Sequence, residues 1–400
     1  MRTPFRGTLI SMRSPFLLLM GLMALAARLA AQPDPGATAE PPTPEALPAP
    51  DAVPAPSPIP APAAPAPAPV AATTPAPTEP PLPVTKSPVA NLFVHPLLAF
   101  PEKAFIPGKD ESRMDEWFVT VDEFRRALES LEAKGYILVK PSDVFATTPV
   151  GVEFRTLDLP EGRKPLILSM DDLNYYPYMR ANGTVSRLLV DDAGQLIART
   201  ALRGGGFRDD LDREVPQVLE SFLASHPDFS FHGARGLIAL TGYSGILGWP
   251  TQQAPGPDLK AAQDGALKVV NTLKALGWEF ASHSYAHRSK RVQNLAAWTV
   301  SEARWKAEVE PLIGPTPYYI FPFGEPWYKD PDRWAVMKAS GFQVFFGVEP
   351  TSNLRWKDGL PILGRVPLDG RGLRHRFGLL TPFLDPRAIW DPIRPPIMKY

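Results

Sequence analysis

Two polar clusters stand where apolar runs stop. Asp171 and Asp172 follow the run at 164–170, whose centre is Leu166-Ile167-Leu168. His283 and His287 follow the run at 278–282, in the string ASHSYAH. Two histidines four apart share one face of a helical turn, so both imidazoles can reach one ion. Two histidines and one carboxylate on a divalent ion leave positions open for water and substrate. That set is typical of zinc and is also accepted by cobalt or manganese. The second carboxylate, next in the chain, is then placed to act as a base on water. The chain has no cysteine, which excludes a thiol nucleophile, a thiolate-ligated metal and a disulfide scaffold.

Neither cluster is decisive alone, because Asp-Asp pairs also occur at 191–192 and 209–210. What raises them is the order of elements around them. Short apolar runs near 92–94, 136–139, 164–170, 237–240, 278–282, 318–321 and 342–346 alternate with helical patterns. Thr120 and Glu123 make a capping-box pattern ahead of Phe124, Ala127, Leu128 and Leu131. Thr299 and Glu302 are expected to cap a later helix whose inner face is Trp305, Val309 and Leu312. Residues 186–200 read as a hairpin around Asp191-Asp192-Ala193-Gly194. Strand–helix alternation of this kind predicts an α/β fold with a parallel sheet or barrel, and such folds carry their chemistry at the carboxyl ends of the strands. Both clusters lie there.

The strings LILSMDD, ASHSYAH and IFPFG resemble, in order, the first three motifs of the polysaccharide deacetylase (NodB-homology) family. The likeness runs across most of 91–400, and FVHPLLAF, SMDDLNYYPYM, GLIALTGYSGILGW and VEPLIG look like an exported, envelope-associated bacterial branch. The resemblance implies a distorted (β/α) barrel that removes N-acetyl groups, or O-acetyl groups, from an acetylated glycan with a divalent metal. It implies Asp171 as the catalytic base, Asp172, His283 and His287 as metal ligands, and the Phe323 backbone N–H as an oxyanion donor. Two positions depart from the pattern. The third motif's arginine is Ile320 here, with Arg365 as a substitute on charge type alone. The last motif's histidine, the general acid, is matched in letters by His375 in Leu373-Arg374-His375.

Sugar sites use aromatic faces. Trp327, just after the third motif, and Tyr175 are the residues expected to bind substrate. The altered supporting residues motivate an alternative, a glycan-binding relative without turnover. A serine hydrolase is disfavoured, since Gly242-Tyr243-Ser244-Gly245 lacks the second glycine of a nucleophile elbow.

The rest of the chain reads as address and spacer. Residues 1–31 carry Arg2, Arg6 and Arg13, an apolar run and small residues at Ala30-Ala31, the pattern of a signal peptide, with an uncleaved anchor as the alternative. In 32–90, 21 of 59 residues are proline and large apolar residues are rare, so a disordered, extended spacer is expected. That leaves 91–400 as the catalytic domain. Removing the leader's four arginines turns a net charge of zero into about four negative, which disfavours nucleic acid. The expected protein is exported (secreted, periplasmic or cell-wall associated), tethered to membrane or wall by its N-terminus, and monomeric.

Overall fold

The computed structural model describes residues 82–108 and 110–396. The expected leader and residues 32–81 of the spacer lie outside the described residues. Residues 82–90, assigned by composition to the spacer, belong to the fold. Thr85–Lys86 pairs antiparallel with Asn353–Lys357, Ser87 N–H donates to the Ser352 carbonyl at 2.9 Å, and Val89 is buried.

Seven strands form the centre: β1 (Ala90–Val94), β2 (Lys164–Asp171), β3 (Leu237–Leu240), β4 (Glu279–Ser282), β5 (Tyr318–Ile320), β6 (Val344–Val348) and β7 (Leu360–Pro367). All neighbouring pairs are parallel. The ring closes where Val366 and Pro367 of β7 meet Leu92 and Phe93 of β1. The expected distorted (β/α) barrel is the fold observed. Alternation along each strand divides the core in two. Leu166, Leu168 and Met170 of β2 pack outward among the helices. Ile167 joins Leu237, Ala281, Ile320, Phe346 and Leu363 in the cluster that fills the barrel. Strands buried on both faces need continuous apolar runs, which is why these segments were readable.

The helices around the ring are α1 (Glu111–Trp117), α2 (Val121–Ala133), α3 (Val215–Ser225), α4 (Pro257–Leu276), α5 (Leu295–Glu308), α6 (Pro331–Ala339) and α7 (Gly370–His375). Thr120 and Glu123 do form the capping box at α2, with both reciprocal bonds present. At α5 the expected cap is wrong. Asn294 caps the helix by accepting from Ala297 N–H, and Thr299 is interior, its hydroxyl bonded back to the Leu295 carbonyl at 2.9 Å. Asn is as good a cap as Thr, and the helix begins one turn earlier than the Thr-x-x-Glu pattern suggests. Gly277 ends α4 at φ 111, where a Cβ would run into the Gly233 carbonyl. The hairpin at 187–201 is present and gains a third antiparallel strand, Phe207–Asp210. Among the described residues no helix is long and apolar enough to cross a membrane.

Candidate metal centre and active site

The carboxyl ends of β2 and β4 bring four side chains together. Asp171 closes β2 and Asp172 follows it; His283 follows β4, and His287 lies four residues on. Asp172, His283 and His287 each offer a ligand atom, and these atoms lie within 4.8 Å of one another. His283 Nε2 is 3.9 Å from Asp172 Oδ1, and His287 Nε2 is 3.8 Å from Asp172 Oδ2. These gaps are too wide for hydrogen bonds, yet two ligands at about 2.0–2.2 Å from a shared ion can span them.

The histidines do not meet through a helical turn as expected. The segment after β4 is irregular, with Ser284 at φ 60 and His287 at φ 46. Left-handed backbone at these two residues folds the loop back and sets the ring centroids 4.7 Å apart. Asp172 (φ 62), Tyr175 (φ 55) and Phe323 (φ 56) are left-handed too. Such backbone costs on the order of 1–3 kcal/mol per residue and gathers at working sites.

The surrounding groups fit these three side chains for a metal. His283 Nδ1 lies 2.9 Å from the Ile320 carbonyl, which can only accept, so Nδ1 carries the hydrogen and Nε2 presents its lone pair. The Tyr176 hydroxyl donates to Asp172 Oδ1 at 2.6 Å and meets Thr241 Oγ1 at 2.9 Å. Burial holds the His287 imidazole down at about 4, against the pull of Asp172, so it is neutral at pH 7 as a ligand must be. Burial would raise the Asp172 carboxyl, but His287 and His283 bring it below its usual value.

Asp171 has its own partner. Arg365, on β7 and fully buried, donates from Nη1 to Asp171 Oδ1 at 2.7 Å and from Nη2 to Oδ2 at 2.9 Å. Nη1 also reaches Ser169 Oγ at 2.9 Å. Burial pushes the Asp171 carboxyl up, while Arg365 and then His283 bring it down to about 2. Asp171 is therefore a fully ionised carboxylate, fixed in orientation. Arg365 thus reaches Asp171 from β7 and not from the position of Ile320.

His95 was missed in the sequence. It follows β1 directly, and it lies close enough to Asp171, Asp172, His287 and Asp369 to act on the charge of each. Its Nδ1 is 2.9 Å from the Trp117 carbonyl, so Nδ1 carries a hydrogen and Nε2 is the remaining ring nitrogen. Like Asp171 and His283, His95 stands directly after an apolar strand run, which is the signal it carries in the sequence.

His375 is not brought to this group. Asp369 caps α7 by accepting from Gly372 N–H at 2.6 Å, and His375, the last residue of that helix, is exposed, whereas Asp171, Asp172 and His283 are buried. The two expected sugar platforms are also corrected. Trp327 is fully buried against Trp298 and Tyr319, and its Nε1–H donates to Glu325 at 2.9 Å. Glu325 in turn holds Ser289 Oγ and Lys290 N–H, so Trp327 braces the loop beyond His287. Tyr175 is 1% exposed and packs in the outer core. Large aromatics next to a motif are expected at the surface, but the core encloses both of these.

Phe323 sits in the single 3-10 turn Pro322–Gly324, its ring 4.5 Å from that of His287. Among the described residues its backbone N–H has no backbone acceptor. Gly324 keeps this turn tight, since a Cβ there would run into Val348.

No family model matches the chain, and no curated protein matches it. Solved structures of similar outline do. A Streptococcus pyogenes deacetylase, PplD, in complex with acetate is 12% identical over 74% of this chain and 97% of that one, with a TM-score of 0.41. A de-N-acetylase from Aggregatibacter actinomycetemcomitans is 14% identical over 74% of this chain and 99% of that one, also at 0.41. A polysaccharide deacetylase from Bacillus cereus is 13% identical over 70% and 64%, at 0.40. These are likenesses of fold.

Proposed function

We propose that this protein is an exported, metal-dependent hydrolase that removes acetyl groups from an acetylated glycan of the cell envelope, with N-acetyl groups as its first target. The observation that carries the reading is the pairing of a metal-ligating triad (Asp172, His283, His287) with a separate carboxylate, Asp171, held ionised by Arg365. A divalent ion in that triad, zinc by preference, would supply Lewis acidity toward an acetamide carbonyl and toward water.

The chain's own residues then divide the work. Asp171 accepts a proton from the attacking water, and Arg365 keeps its two oxygens fixed. The water oxygen bonds to the acetyl carbon, and the Phe323 N–H donates to the oxygen that gains charge. His95 Nε2 delivers a proton to the nitrogen as the C–N bond breaks, leaving a free amine and acetate. Asp171 thus takes up one proton and His95 supplies another. Arg365 beside Asp171 and His95 at the end of β1 favour turnover over the binding-only alternative.

The test is acetate release from a panel of acetylated envelope glycans, with metal content measured on the same samples. Asp171→Asn should keep its metal and lose about 10²–10⁴-fold in turnover. His283→Ala should lose metal and turnover together. Metal-free native protein with undiminished activity would refute the proposal.

A further inference from the structure

His95 stands in a cradle with three walls. Its imidazole lies beside the rings of Phe93 and Phe118, with centroids at 5.7 and 5.6 Å. Its Nδ1 is 2.9 Å from the Trp117 carbonyl. Trp117 is the last residue of α1, and Phe118 follows it. Two of the three walls thus belong to one short stretch where α1 ends.

The end of a helix leaves carbonyls without partners inside the helix. Here a single side chain takes those on either side of Trp117. Arg394 donates from Nη1 to the Asp115 carbonyl at 2.9 Å and from Nη2 to the Phe118 carbonyl at 2.6 Å. Its other N–H groups go to Asp115 Oδ1 at 2.9 Å and to the two Glu123 carboxylate oxygens at 2.6 and 2.8 Å. All five donors of the guanidinium are used, and the side chain is fully buried. The segment that carries Arg394 is pinned in turn. Arg126 donates to the Ile389 carbonyl at 2.7 Å, Thr120 Oγ1 to Asp391 at 2.8 Å, and Asp391 N–H to Glu123 at 3.0 Å. With the carbonyls of Asp115 and Phe118 engaged by Arg394, the Trp117 carbonyl is the one presented to His95. The partner of one ring nitrogen decides what the other can do.

We infer that Arg394 is a positioning residue for proton delivery. By fixing Trp117 and Phe118 it keeps a hydrogen on His95 Nδ1 and aims Nε2. This rests on the reading of His95 as the proton donor, and adds that the donor is aligned by a residue 276 positions beyond Phe118 in the chain.

The experiment is a double-variant cycle on the full chain supplemented with zinc. It is read as acetate release from the β-1,4-linked N-acetylglucosamine pentamer and as 15N spectra of histidine-labelled protein at pH 8, with His95→Gln assigning the His95 signals. Arg394→Met combined with Glu123→Gln removes the guanidinium without stranding the Glu123 charge, and Gln keeps the capping box. This pair should lower kcat by about 10–10²-fold, leave KM and metal content unchanged, and move the His95 hydrogen off Nδ1. In a His95→Gln background the same pair should cost no further kcat, because both changes act on one step. Arg394→Lys, which keeps the charge and loses the fork, should retain part of the activity. A native kcat and an unmoved His95 spectrum in the folded variant, or an equal loss in the His95→Gln background, would overturn the inference. A native kcat in His95→Gln, or no acetate from the native protein, would instead sink the reading it rests on, and the spectrum would still decide whether Arg394 sets the ring.

Discussion

Arg365 and Asp171, 194 positions apart in sequence, form a two-armed ion pair at 2.7 and 2.9 Å inside the barrel. The planar guanidinium matches both carboxylate oxygens at once, which an ammonium cannot do. It also lies 4.3 Å from the Phe93 ring centroid, so the cation has an aromatic face as well as an anion. The pair fixes Asp171 in charge and in direction.

Replacing Arg365 by Met should therefore do two kinds of damage. Asp171 and Ser169 would be left buried without their partner, at a cost of about 3–5 kcal/mol in urea unfolding. Turnover should fall further than in Arg365→Lys, which keeps the charge and loses the fork. Equal activity of the Lys variant and the native protein would show that orientation is unimportant.

His95→Gln should lower kcat by about 10²–10⁴-fold and leave bound metal unchanged. His375→Ala, at an exposed helix end, should change neither activity nor stability by more than about 0.5 kcal/mol. The reverse pattern would return the acid role to His375.

Metal retention should follow the His287 titration. Its value is held down to about 4, so its contribution to binding is present at neutral pH and is lost as pH falls through that value. Equilibrium dialysis against zinc between pH 7 and 3.5 should show little change down to about pH 5 and release below it.

Two buried carboxyls make stability depend on pH in the opposite sense to a surface carboxylate. Burial raises Glu214 and Glu302 from 4.5 to about 7, although Val215 and Leu97 N–H groups support the charged form of Glu214. The folded state thus binds protons that the unfolded chain has released. Their stabilisation is complete below pH 4.5 and is lost as pH rises through about 7. Urea midpoints should fall from pH 5 to pH 8, and Glu214→Gln should flatten the trend.

Trp327→Ala should cost about 3–5 kcal/mol of stability through the cavity it leaves against Trp298 and Tyr319. It should also loosen the Glu325–Ser289 anchor and raise the metal dissociation constant. A loss of glycan affinity alone, with stability kept, would restore its role as a sugar platform.

The sequence alone determined six of the seven barrel strands, because segments buried on both faces must be apolar; the run near 136–139 forms a strand outside the ring, and Leu360–Pro367, broken by Gly364 and Arg365, closes it. It also placed Asp171, Asp172, His283 and His287 at strand ends, because each is local to the end of such a run. Tertiary structure alone decided the rest. Arg365 reaches Asp171, and His95 joins the group, only because β7 closes on β1 at Val366 and Leu92. No spacing in the chain encodes that closure. Likewise Trp327 reads as a rim aromatic until Trp298 and Tyr319 enclose it. A side chain's neighbours along the chain set its backbone, but its chemistry is set by the neighbours that folding brings from elsewhere.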